Sequence, residues 1–363
     1  MKFGRPKGRL LLGEKMRSVF WDETTCQLKM IDQRCLPAEL VIRSFDDHRD
    51  VARAIYDMTV RGAPAIGVTA AFAMALAGLN SKTTSYKDFR QDMHQAGDEI
   101  VKARPTAVNL AWAVNKMIAL VDQADGNVEN IRTNMLSFAN QMADDDVETN
   151  KKIAEFGASL IQDGDHIVHH CNTGALAVVD WGTALGVIRT AFEQGKHIHV
   201  FVDETRPRLQ GARLTAWELG QYGIPYDIIA DGASGYLMRT GQVQKVLFGA
   251  DRVTSNGDVA NKIGTYMLAL AAYDNDIPAY SVFPTSTIDM NLRSGDQIEI
   301  EEREQSEVLD IQIHKNQVTP SGATARNPAF DVTPNRLISA LITEMGIVYP
   351  PYFRNLPIIF QEK

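Results

Sequence analysis

The sequence predicts an α/β protein in which a small antiparallel meander and a mainly helical N-terminal domain precede a Rossmann-like, doubly wound parallel sheet. Alternating runs occupy residues 19–43, apolar residues then recur every three or four positions, and from Asp165 apolar β-rich runs alternate with helix-length segments. Apolar strands separated by helices form parallel sheets that are covered on both faces. Because 363 residues exceed what one core usually supports, we expect two domains, residues 1–145 and 146–363.

The N-terminal elements are short strands followed by helices. Polar or Pro-containing breaks separate the predicted strands Val19–Trp21, Gln27–Ile31 and Leu40–Ile42. Helices are expected from Asp46 to about Asp163, where apolar residues have helical spacing, as in Val51, Ala54, Ile55 and Met58.

The C-terminal half predicts alternating strands and helices. The predicted strands are His166–His169, Ile198–Val202, Tyr226–Ala230, Val246–Gly249 and Ala279–Phe283. The predicted helices are Ala175–Gln194, Leu214–Tyr222, Ser234–Thr240 and Val259–Tyr273. Ligands of such sheets bind at the carboxyl ends of the strands, so functional residues are expected there.

Composition excludes several classes of protein. A net charge of −8 disfavours nucleic acid as a partner. The longest apolar stretch, around Gly67 to Leu79, is shorter than the roughly 20 residues of a membrane span. The segment Met1–Arg5 is followed by no apolar core typical of a secretory signal, so a cytoplasmic location is expected. The cysteines Cys26, Cys35 and Cys171 fit neither a disulfide framework nor a C-x-x-C motif.

Cys171 and Asp251 each follow a predicted strand and are the candidate reactive groups. A thiol just before a helix that begins at Ala175 would feel the positive end of the helix dipole, which lowers a thiol pKa. Asp251 would lie at the same edge of the sheet, where two titratable groups form a plausible acid/base pair. The alternatives are a buried structural cysteine and an aspartate that caps a turn or pairs with Arg252.

Candidate anion-binding residues follow other predicted strands. Gln210 lies in a loop that contains Arg206, Arg208 and Arg213, which suits a phosphate or an array of sugar hydroxyls, although Asp203 and Glu204 are also placed to neutralise these arginines. Asn261 and Lys262 are predicted to open a helix. A lysine in a first helical turn is unfavourable, which suggests an anion there.

Two segments of the helical half also suit an anion. Arg61–Gly67 contains small residues at a predicted helix start, with Pro64 suited to the first helical position, and Arg104–Asn109 resembles it. Close helix packing is the alternative use of such small residues.

No cofactor or metal is expected. The sequence contains neither G-x-x-x-x-G-K-[ST] nor G-x-G-x-x-G after a strand. Four histidines near strands raise the question of a metal site with Asp203, but they have no recognisable ligand spacing, and structural histidines are favoured: His169, His170, His197 and His199. The charged stretch Glu299–Glu307 is interpreted as a solvated loop or helix face.

Long motifs over nearly the whole chain together resemble the methylthioribose-1-phosphate isomerase family of methionine salvage. They are Arg61–Gly67, Arg104–Leu110, Cys171–Ala177, Asp203–Leu219, Gly249–Arg252, Gly257–Tyr266, Ser286–Asp289 and Ile298–Arg303. The resemblance implies a helical domain joined to a Rossmann-like domain, a homodimer, and conversion of an aldose 1-phosphate into a ketose 1-phosphate.

The resemblance also implies roles for individual residues. Asp251 would be the proton donor, and Cys171 would assist the transfer between C1 and C2. The positions that match the family's substrate-binding residues are Arg61, Gly62, Ala63, Arg104, Gln210, Asn261 and Lys262. At Val178–Trp181 the chain departs from the smaller residues usual in the family. This difference is expected to alter the pocket near the substrate's 5-substituent.

Two alternative functions remain open. An isomerase of ribose 1,5-bisphosphate or 5-deoxyribose 1-phosphate would have the same fold and reactive groups. A non-catalytic regulatory subunit of the eukaryotic translation initiation exchange factor would also share the fold by resemblance, although Cys171 and Asp251 in intact motifs favour catalysis.

Overall fold

A computed structural model describes residues 17–105 and 107–360. The sequence interpretation of Met1–Arg5 therefore lies outside the described residues, as does Thr106 within the segment Arg104–Leu110. The described residues form two compact units: the first comprises those up to 150 together with 174–182, and the second comprises 151–173 and those from 183 to 360. The domain boundary predicted between residues 145 and 146 stays a prediction.

The first unit begins with the predicted meander, although the third strand predicted at Leu40–Ile42 was placed too early and overlaps the observed one only at Ile42. Its strands are β1 (Val19–Asp22), β2 (Gln27–Ile31) and β3 (Ile42–Phe45), joined in the order β1-β2-β3. Both pairs are antiparallel, with Val19 opposite Met30 and Leu28 opposite Phe45. Leu28 and Met30 point into the core while Lys29 between them is partly exposed, so the alternation in the sequence is the alternation of a half-buried sheet.

Helices complete the first unit. They are α1 (His48–Tyr56), α2 (Ala63–Asn80), α3 (Tyr86–Val101), α4 (Val108–Asp122) and α5 (Val128–Ala158), of which α5 continues past the unit boundary. Helix α2 is apolar on all sides because it is the central helix of this core. Its length and composition alone would suffice to cross a membrane, yet 78% of it is buried within the protein, as expected of a core helix.

The second unit contains the predicted parallel sheet and further strands. The strands are β4 (His166–His169), β5 (His199–Asp203), β6 (Tyr226–Ile229), β7 (Lys245–Phe248), β8 (Arg252–Thr254), β9 (Val259–Lys262), β10 (Ala279–Val282), β11 (Ile288–Asp289), β12 (Gln312–Ile313), β13 (Asn316–Gln317), β14 (Phe330–Thr333), β15 (Ala340–Thr343) and β16 (Gly346–Val348). The helices are α6 (Ala184–Glu193), α7 (Ala216–Tyr222), α8 (Ser234–Arg239), α9 (Thr265–Asp274), α10 (Ser306–Leu309) and α11 (Tyr352–Asn355).

The main sheet has seven strands in the order β16-β15-β10-β7-β4-β5-β6. All neighbouring pairs are parallel except β15 and the edge strand β16. Adjacent residues of one strand enter different cores: Val168 packs with Val246 on one face, and Ile167 packs with Val200 on the other. The predicted fold class is confirmed, because both faces of the parallel sheet are buried.

A second sheet in this unit was not predicted. Its order is β11-β8-β9-β14, with β9 antiparallel to both of its neighbours. The predicted helix Val259–Tyr273 is therefore wrong in its first part, since Val259–Lys262 is a strand. Gly264, with a φ of 103°, separates the strand from α9.

The predicted helix Ala175–Gln194 is also wrong in its first half. Only a single 3-10 turn forms at Ala175–Ala177, and α6 begins at Ala184. Residues 174–182 belong to the first unit, where Gly174 and Gly182 form an antiparallel bridge. In the second unit, the N–H of Thr183 donates to the carbonyl oxygen of Thr173 at 2.8 Å. The two residues that flank segment 174–182 are therefore hydrogen-bonded to each other.

Candidate active site

The strand order of the second unit reverses between β4 and β7. From β4 the chain continues to β5 and β6 on one side, whereas β7, β10 and β15 follow on the other. The strands β4 and β7 are parallel neighbours, with His169 paired to Leu247. This is the topological switch point at which open α/β sheets bind ligands, and the segments that carry Cys171 and Asp251 leave the sheet from these two strands.

Cys171 lies in a strained turn that hydroxyl groups hold in place. Its φ is 64°, a left-handed conformation that costs a non-glycine residue about 1–3 kcal/mol. Its N–H donates to Thr205 Oγ1 at 2.9 Å, and its carbonyl oxygen accepts a hydrogen bond from Thr215 Oγ1 at 2.7 Å. Thr215 ends a π-helical turn, Gly211–Thr215, that leads into α7. Cys171 is buried, with 7% of its surface exposed, and the two threonine hydroxyls fix its main chain.

The dipole argument for Cys171 does not hold. The helix expected at Ala175 is a three-residue 3-10 turn, and the next helix begins at Ala184. The field of a helix dipole falls off within its first turn, so α6 does not supply the predicted effect on the thiol.

Asp251 is exposed and lies in the bend between β7 and β8. Its N–H donates to the carbonyl oxygen of Ala260 at 2.9 Å, which extends the β8–β9 pairing by one residue. Gly249 packs closely beneath this bend, because a Cβ there would lie 2.8 Å from Thr173 Cγ2 and 3.9 Å from Asn261 Oδ1. The segments after β4 and β7 and the end of β9 are thereby brought together.

Asn261 and Lys262 are buried at the end of β9, opposite Asp331 and Phe330 of β14. Lys262 Nζ donates to the carbonyl oxygen of Ala329 at 2.8 Å and lies 4.3 Å from the centre of the Phe330 ring. Lys262 thus lies in a strand and not in a helical turn, so the helix-dipole argument for an anion at this lysine does not hold, and anion binding there stays a prediction. A buried ammonium needs compensating partners, and the carbonyl and the aromatic face supply two of them.

The first turn of α9 has its own anion, supplied by the protein. The Asp331 carboxylate accepts hydrogen bonds from the N–H groups of Gly264 at 2.7 Å and Tyr266 at 3.1 Å. Burial raises the pKa of Asp331, against these N–H donors and the charges of His170 and Lys262.

Gln210 is buried directly before the π-helical turn. Among the described residues its Oε1 has no hydrogen-bond partner, although a buried amide oxygen normally has one. This acceptor is the feature of the arginine-containing loop that points most directly to a ligand.

Two arginines of this loop, Arg206 and Arg208, are held by partners other than the expected Asp203 and Glu204. Arg208 forms an ion pair with Glu307 at 2.7 Å, and Arg206 donates to the carbonyl oxygens of Pro207 and Val308. Asp203 is turned instead toward His170. Arg303 and Glu307 are partly buried, so the interpretation of Glu299–Glu307 as a solvated loop or helix face holds only in part.

The remaining predicted binding residues lie in the first unit. Gly62 precedes α2 with a φ of 96°, and a Cβ there would lie 2.1 Å from the carbonyl oxygen of Ala177. Ala63 is the first residue of α2, and Pro64 follows in the first turn as predicted. Arg61 is half-buried before Gly62, and Arg104 lies in the turn that leads to α4, which begins at Val108.

The four strand-associated histidines all have hydrogen-bond partners. His169 Nε2 lies 2.8 Å from Thr173 Oγ1, and burial together with the charge of His170 lowers the pKa of His169 to about 3. His197 and His199 pair with Asp163 and Asp227, and His170 pairs with Asp203. The nearest approach to a metal-ligand set in the described part of the chain is His170, Asp203 and Asp231, whose ligand-type atoms lie within 4.8 Å of one another.

Sequence reasoning did not assign the His170–Asp203 pair or the hydroxyls of Thr205 and Thr215. Asn172 was likewise missed; its Nδ2 donates to the buried Glu218 at 2.7 Å. One signal was available, since His170 precedes Cys171 and Asp203 ends the adjacent parallel strand. Parallel strand ends meet at one edge of a sheet.

Comparison with known proteins agrees with this architecture. The sequence model of the initiation factor 2 subunit family matches residues 59–350. A methylthioribose-1-phosphate isomerase from Synechococcus sp. is 52% identical over 94% of this chain and 97% of its own length. The methylthioribose-1-phosphate isomerase of Thermosipho africanus is 48% identical over 96% of this chain and 100% of its own length.

Solved structures give the same result. The 5-methylthioribose 1-phosphate isomerase of Pyrococcus horikoshii superposes with a TM-score of 0.90 at 42% identity, covering 96% of each chain. A structure described as translation initiation factor eIF-2B, subunit delta, from A. fulgidus has a TM-score of 0.87 at 41% identity, with 95% of this chain and 99% of that chain covered.

Proposed function

Because this chain belongs to the initiation factor 2 subunit family, and within it to the methylthioribose-1-phosphate isomerases, we propose that it converts 5-methylthioribose 1-phosphate into 5-methylthioribulose 1-phosphate. It is an aldose–ketose isomerase, an intramolecular oxidoreductase whose reaction belongs to methionine salvage. We assign Asp251 as the acid and Cys171 as the group that assists transfer between C1 and C2.

One observation carries the assignment of the reactive residues. Cys171 and Asp251 follow β4 and β7, the paired strands on either side of the switch point. The contacts of Gly249 with Thr173 and Asn261 support a common location for the two segments. Their different settings, a buried thiol and an exposed carboxyl group, suit different roles in one reaction.

The substrate determines which chemistry is needed. A phosphate on the anomeric oxygen locks the sugar as a ring, so the ring must open before C1 and C2 can exchange oxidation states. Asp251 in its acid form protonates the ring oxygen, and the bond between that oxygen and C1 breaks. One hydrogen then moves from C2 to C1, and the C2 hydroxyl loses its proton to the Asp251 carboxylate as the ketone forms. Atoms and electrons balance within the substrate.

The proposed binding residues suit a phosphorylated sugar. Arg61, Arg104 and Lys262 supply positive charge, and Gly62 and Ala63 supply N–H groups at the start of α2. Gln210 and Asn261 supply amides for hydroxyl groups, and the Oε1 of Gln210, which has no partner in the described part of the chain, supports this role. These local groups act against the overall charge of −8.

The same proposal includes a cytoplasmic location, which the sequence analysis predicts. It also includes the homodimer that the family resemblance implies. Light scattering after gel filtration at several protein concentrations tests the dimer. A mass equal to one chain at every concentration would remove it from the proposal.

The activity is tested by NMR with the purified chain and three separate sugars: 5-methylthioribose 1-phosphate, 5-deoxyribose 1-phosphate and ribose 1,5-bisphosphate. We expect a ketose carbonyl signal with the first and much slower conversion of the others. Preference for another sugar would change the assigned substrate. No conversion of any sugar would favour the regulatory-subunit alternative. Deuterium at C1 of product formed in D₂O would indicate proton transfer through an enediol, and its absence would mean that the hydrogen moves without exchange with solvent.

A further inference from the structure

His170 lies directly before Cys171 and is enclosed by protein. The imidazole ring is 1% exposed, and the facing Asp203 carboxylate is 2% exposed. Gly264 packs against the ring so closely that a Cβ there would lie 2.9 Å from His170 Cε1. Gly264, which lies between β9 and α9, therefore also leaves space for this imidazole.

Both nitrogens of the His170 ring are hydrogen-bonded. Nε2 lies 2.9 Å from the carbonyl oxygen of Ile263, and Nδ1 lies 2.9 Å from Asp203 Oδ2. A carbonyl oxygen only accepts hydrogen bonds, so Nε2 carries a proton. The contact between Nδ1 and the carboxylate then needs a second proton, which the two groups share. Asp203 Oδ1 accepts a further hydrogen bond from Ser234 Oγ, which fixes the carboxylate.

Several charges surround this pair. Burial lowers the pKa of His170, but the hydrogen bond and charge of Asp203 and the charge of Asp231 outweigh burial and raise it. Burial raises the pKa of Asp203 as well. The nearby carboxylate of Asp331 favours the charged imidazole, while His169 stays neutral. These charges and the two hydrogen bonds of the ring therefore favour retention of the shared proton by the pair.

The pair connects the segments that leave three strands. His170 follows β4, Asp203 ends β5, and Ile263 follows β9 immediately after Lys262. Thr205 continues the connection, because its Oγ1 donates to the carbonyl oxygen of Asp203 and accepts the N–H of Cys171. The left-handed turn at Cys171 is thus connected through two hydrogen bonds of Thr205 to Asp203, the residue whose carboxylate holds His170.

We propose that His170 is a positioning residue, whose proton-sharing contact with Asp203 and hydrogen bond to Ile263 hold Cys171 and Lys262 in their reactive arrangement. The inference rests on the proposed roles of Cys171 and Lys262. His170 itself does not react with the sugar. Its contribution is to hold the segments that follow β4 and β9 in place around the strained turn at Cys171. This matters because displacements of about 1 Å far from the reacting atoms already slow catalysis.

The test compares His170→Gln, Asp203→Asn and the double variant with His199→Gln. His199 is a matched control, because it pairs with Asp227 at 3.0 Å at the opposite, amino end of β5. We expect kcat to fall roughly ten- to a hundredfold in both single variants with a smaller change in KM, and to fall no further in the double variant. His199→Gln should retain the wild-type kcat.

Two measurements separate positioning from a merely structural role. The rate at which iodoacetamide alkylates Cys171, relative to the exposed Cys26, should change several-fold in both single variants while circular dichroism does not. Proton NMR of the wild type should show an exchange-protected low-field resonance of the shared proton, which His170→Gln lacks. If His170→Gln does not fold, the isosteric Asp203→Asn provides the same readouts.

The outcomes also separate this inference from the catalytic assignment. Wild-type kcat and wild-type Cys171 alkylation in both His170→Gln and Asp203→Asn would overturn the positioning role, provided that Cys171→Ser is inactive. Wild-type turnover in Cys171→Ser would overturn the catalytic assignment and, with it, the reason for positioning the thiol.

Discussion

The N–H of Asp251 donates to the carbonyl oxygen of Ala260 at 2.9 Å, so the candidate acid is fastened beside Asn261 and Lys262, the residues that follow Ala260 in β9. A carboxyl group on a free loop would lack such a fixed relation to the candidate phosphate-binding lysine. The bond involves only the main chain of residue 251. Replacing its side chain therefore leaves this hydrogen bond intact, and a substitution at 251 removes the carboxyl group alone.

We predict that Asp251→Asn and Cys171→Ser each lower kcat by about two to four orders of magnitude with little loss of stability, because each removes a reacting group and preserves its shape. Steady-state kinetics and thermal unfolding measure both quantities.

The matched controls are Asp274→Asn and Cys26→Ser, which change exposed residues outside the proposed site. Near-normal turnover in either test variant would remove that residue from the mechanism.

Lys262→Met is expected to weaken substrate binding by roughly ten- to a hundredfold, because charge-assisted hydrogen bonds contribute about 1.5–3 kcal/mol. The apolar methionine retains packing against Phe330, which the ammonium now faces at 4.3 Å. Calorimetric titration of the sugar phosphate into Cys171→Ser, with and without the change at 262, measures the effect.

Lys116→Met is the control, since Lys116 also lies over an aromatic ring, that of Trp112, at 5.9 Å, but on an exposed face of α4. Unchanged affinity in Lys262→Met would exclude the lysine from substrate binding.

Gln210→Met should separate binding from stability. The buried Oε1 of Gln210 has no partner among the described residues, so its removal should leave the free energy of unfolding unchanged or raise it. Substrate affinity should fall, with a loss of about 1–3 kcal/mol if the amide pairs with the sugar. Chemical denaturation without ligand and titration with ligand test the two parts. A variant with lower stability and normal affinity would show that the amide serves the fold alone.

Gly62→Ala should destabilise the first unit. A methyl group would lie 2.1 Å from the carbonyl oxygen of Ala177, and the φ of 96° is unfavourable for alanine. Overpacking costs about 1–3 kcal/mol in addition to the conformational cost of about 1–2 kcal/mol. Gly241→Ala is the control, because Gly241 has a φ of 74° and nothing within 4 Å of the added carbon. Equal losses of stability in the two variants would show that Ala177 does not confine this position.

Asp146 should make stability depend on pH in the direction opposite to most carboxyl groups. Burial raises its pKa to about 7, while the N–H of Val179, 2.8 Å from Oδ2, and Asn150 act against that rise. The folded state therefore binds a proton more tightly than the unfolded state, whose carboxyl has its ordinary pKa near 4. This contribution favours folding below about pH 4 and is progressively lost as the pH rises toward about 7.

Asp146→Asn keeps an acceptor for the Val179 N–H and cannot ionise. The difference in free energy of unfolding between the variant and the wild type should therefore shift in favour of the variant from about pH 4 to about pH 7. Urea denaturation across this range measures it, and the subtraction cancels the other titrating groups. A difference that does not change with pH would mean that Asp146 has an ordinary pKa.

The alternation of apolar runs with helix-length segments correctly predicted the strands of the parallel sheet. The strand His166–His169 was predicted with its observed bounds, and the other strands of the parallel sheet predicted from sequence lie within one residue of prediction at each end. The failures lie where distant segments decide. Val259–Lys262 has an apolar start that suits either a strand or a helix, and it is a strand because β14, far along the chain, pairs with it.

By itself the sequence determined the fold class, the family and the strand ends at which reactive residues stand, because alternation, apolar runs and long motifs are written in consecutive residues. Only the tertiary structure decided that Asp203 faces His170 rather than the arginines, that Lys262 lies in a strand, and that residues 174–182 join the first unit. Each of these depends on which distant groups satisfy buried hydrogen bonds and charges, and that matching exists only after the chain has folded.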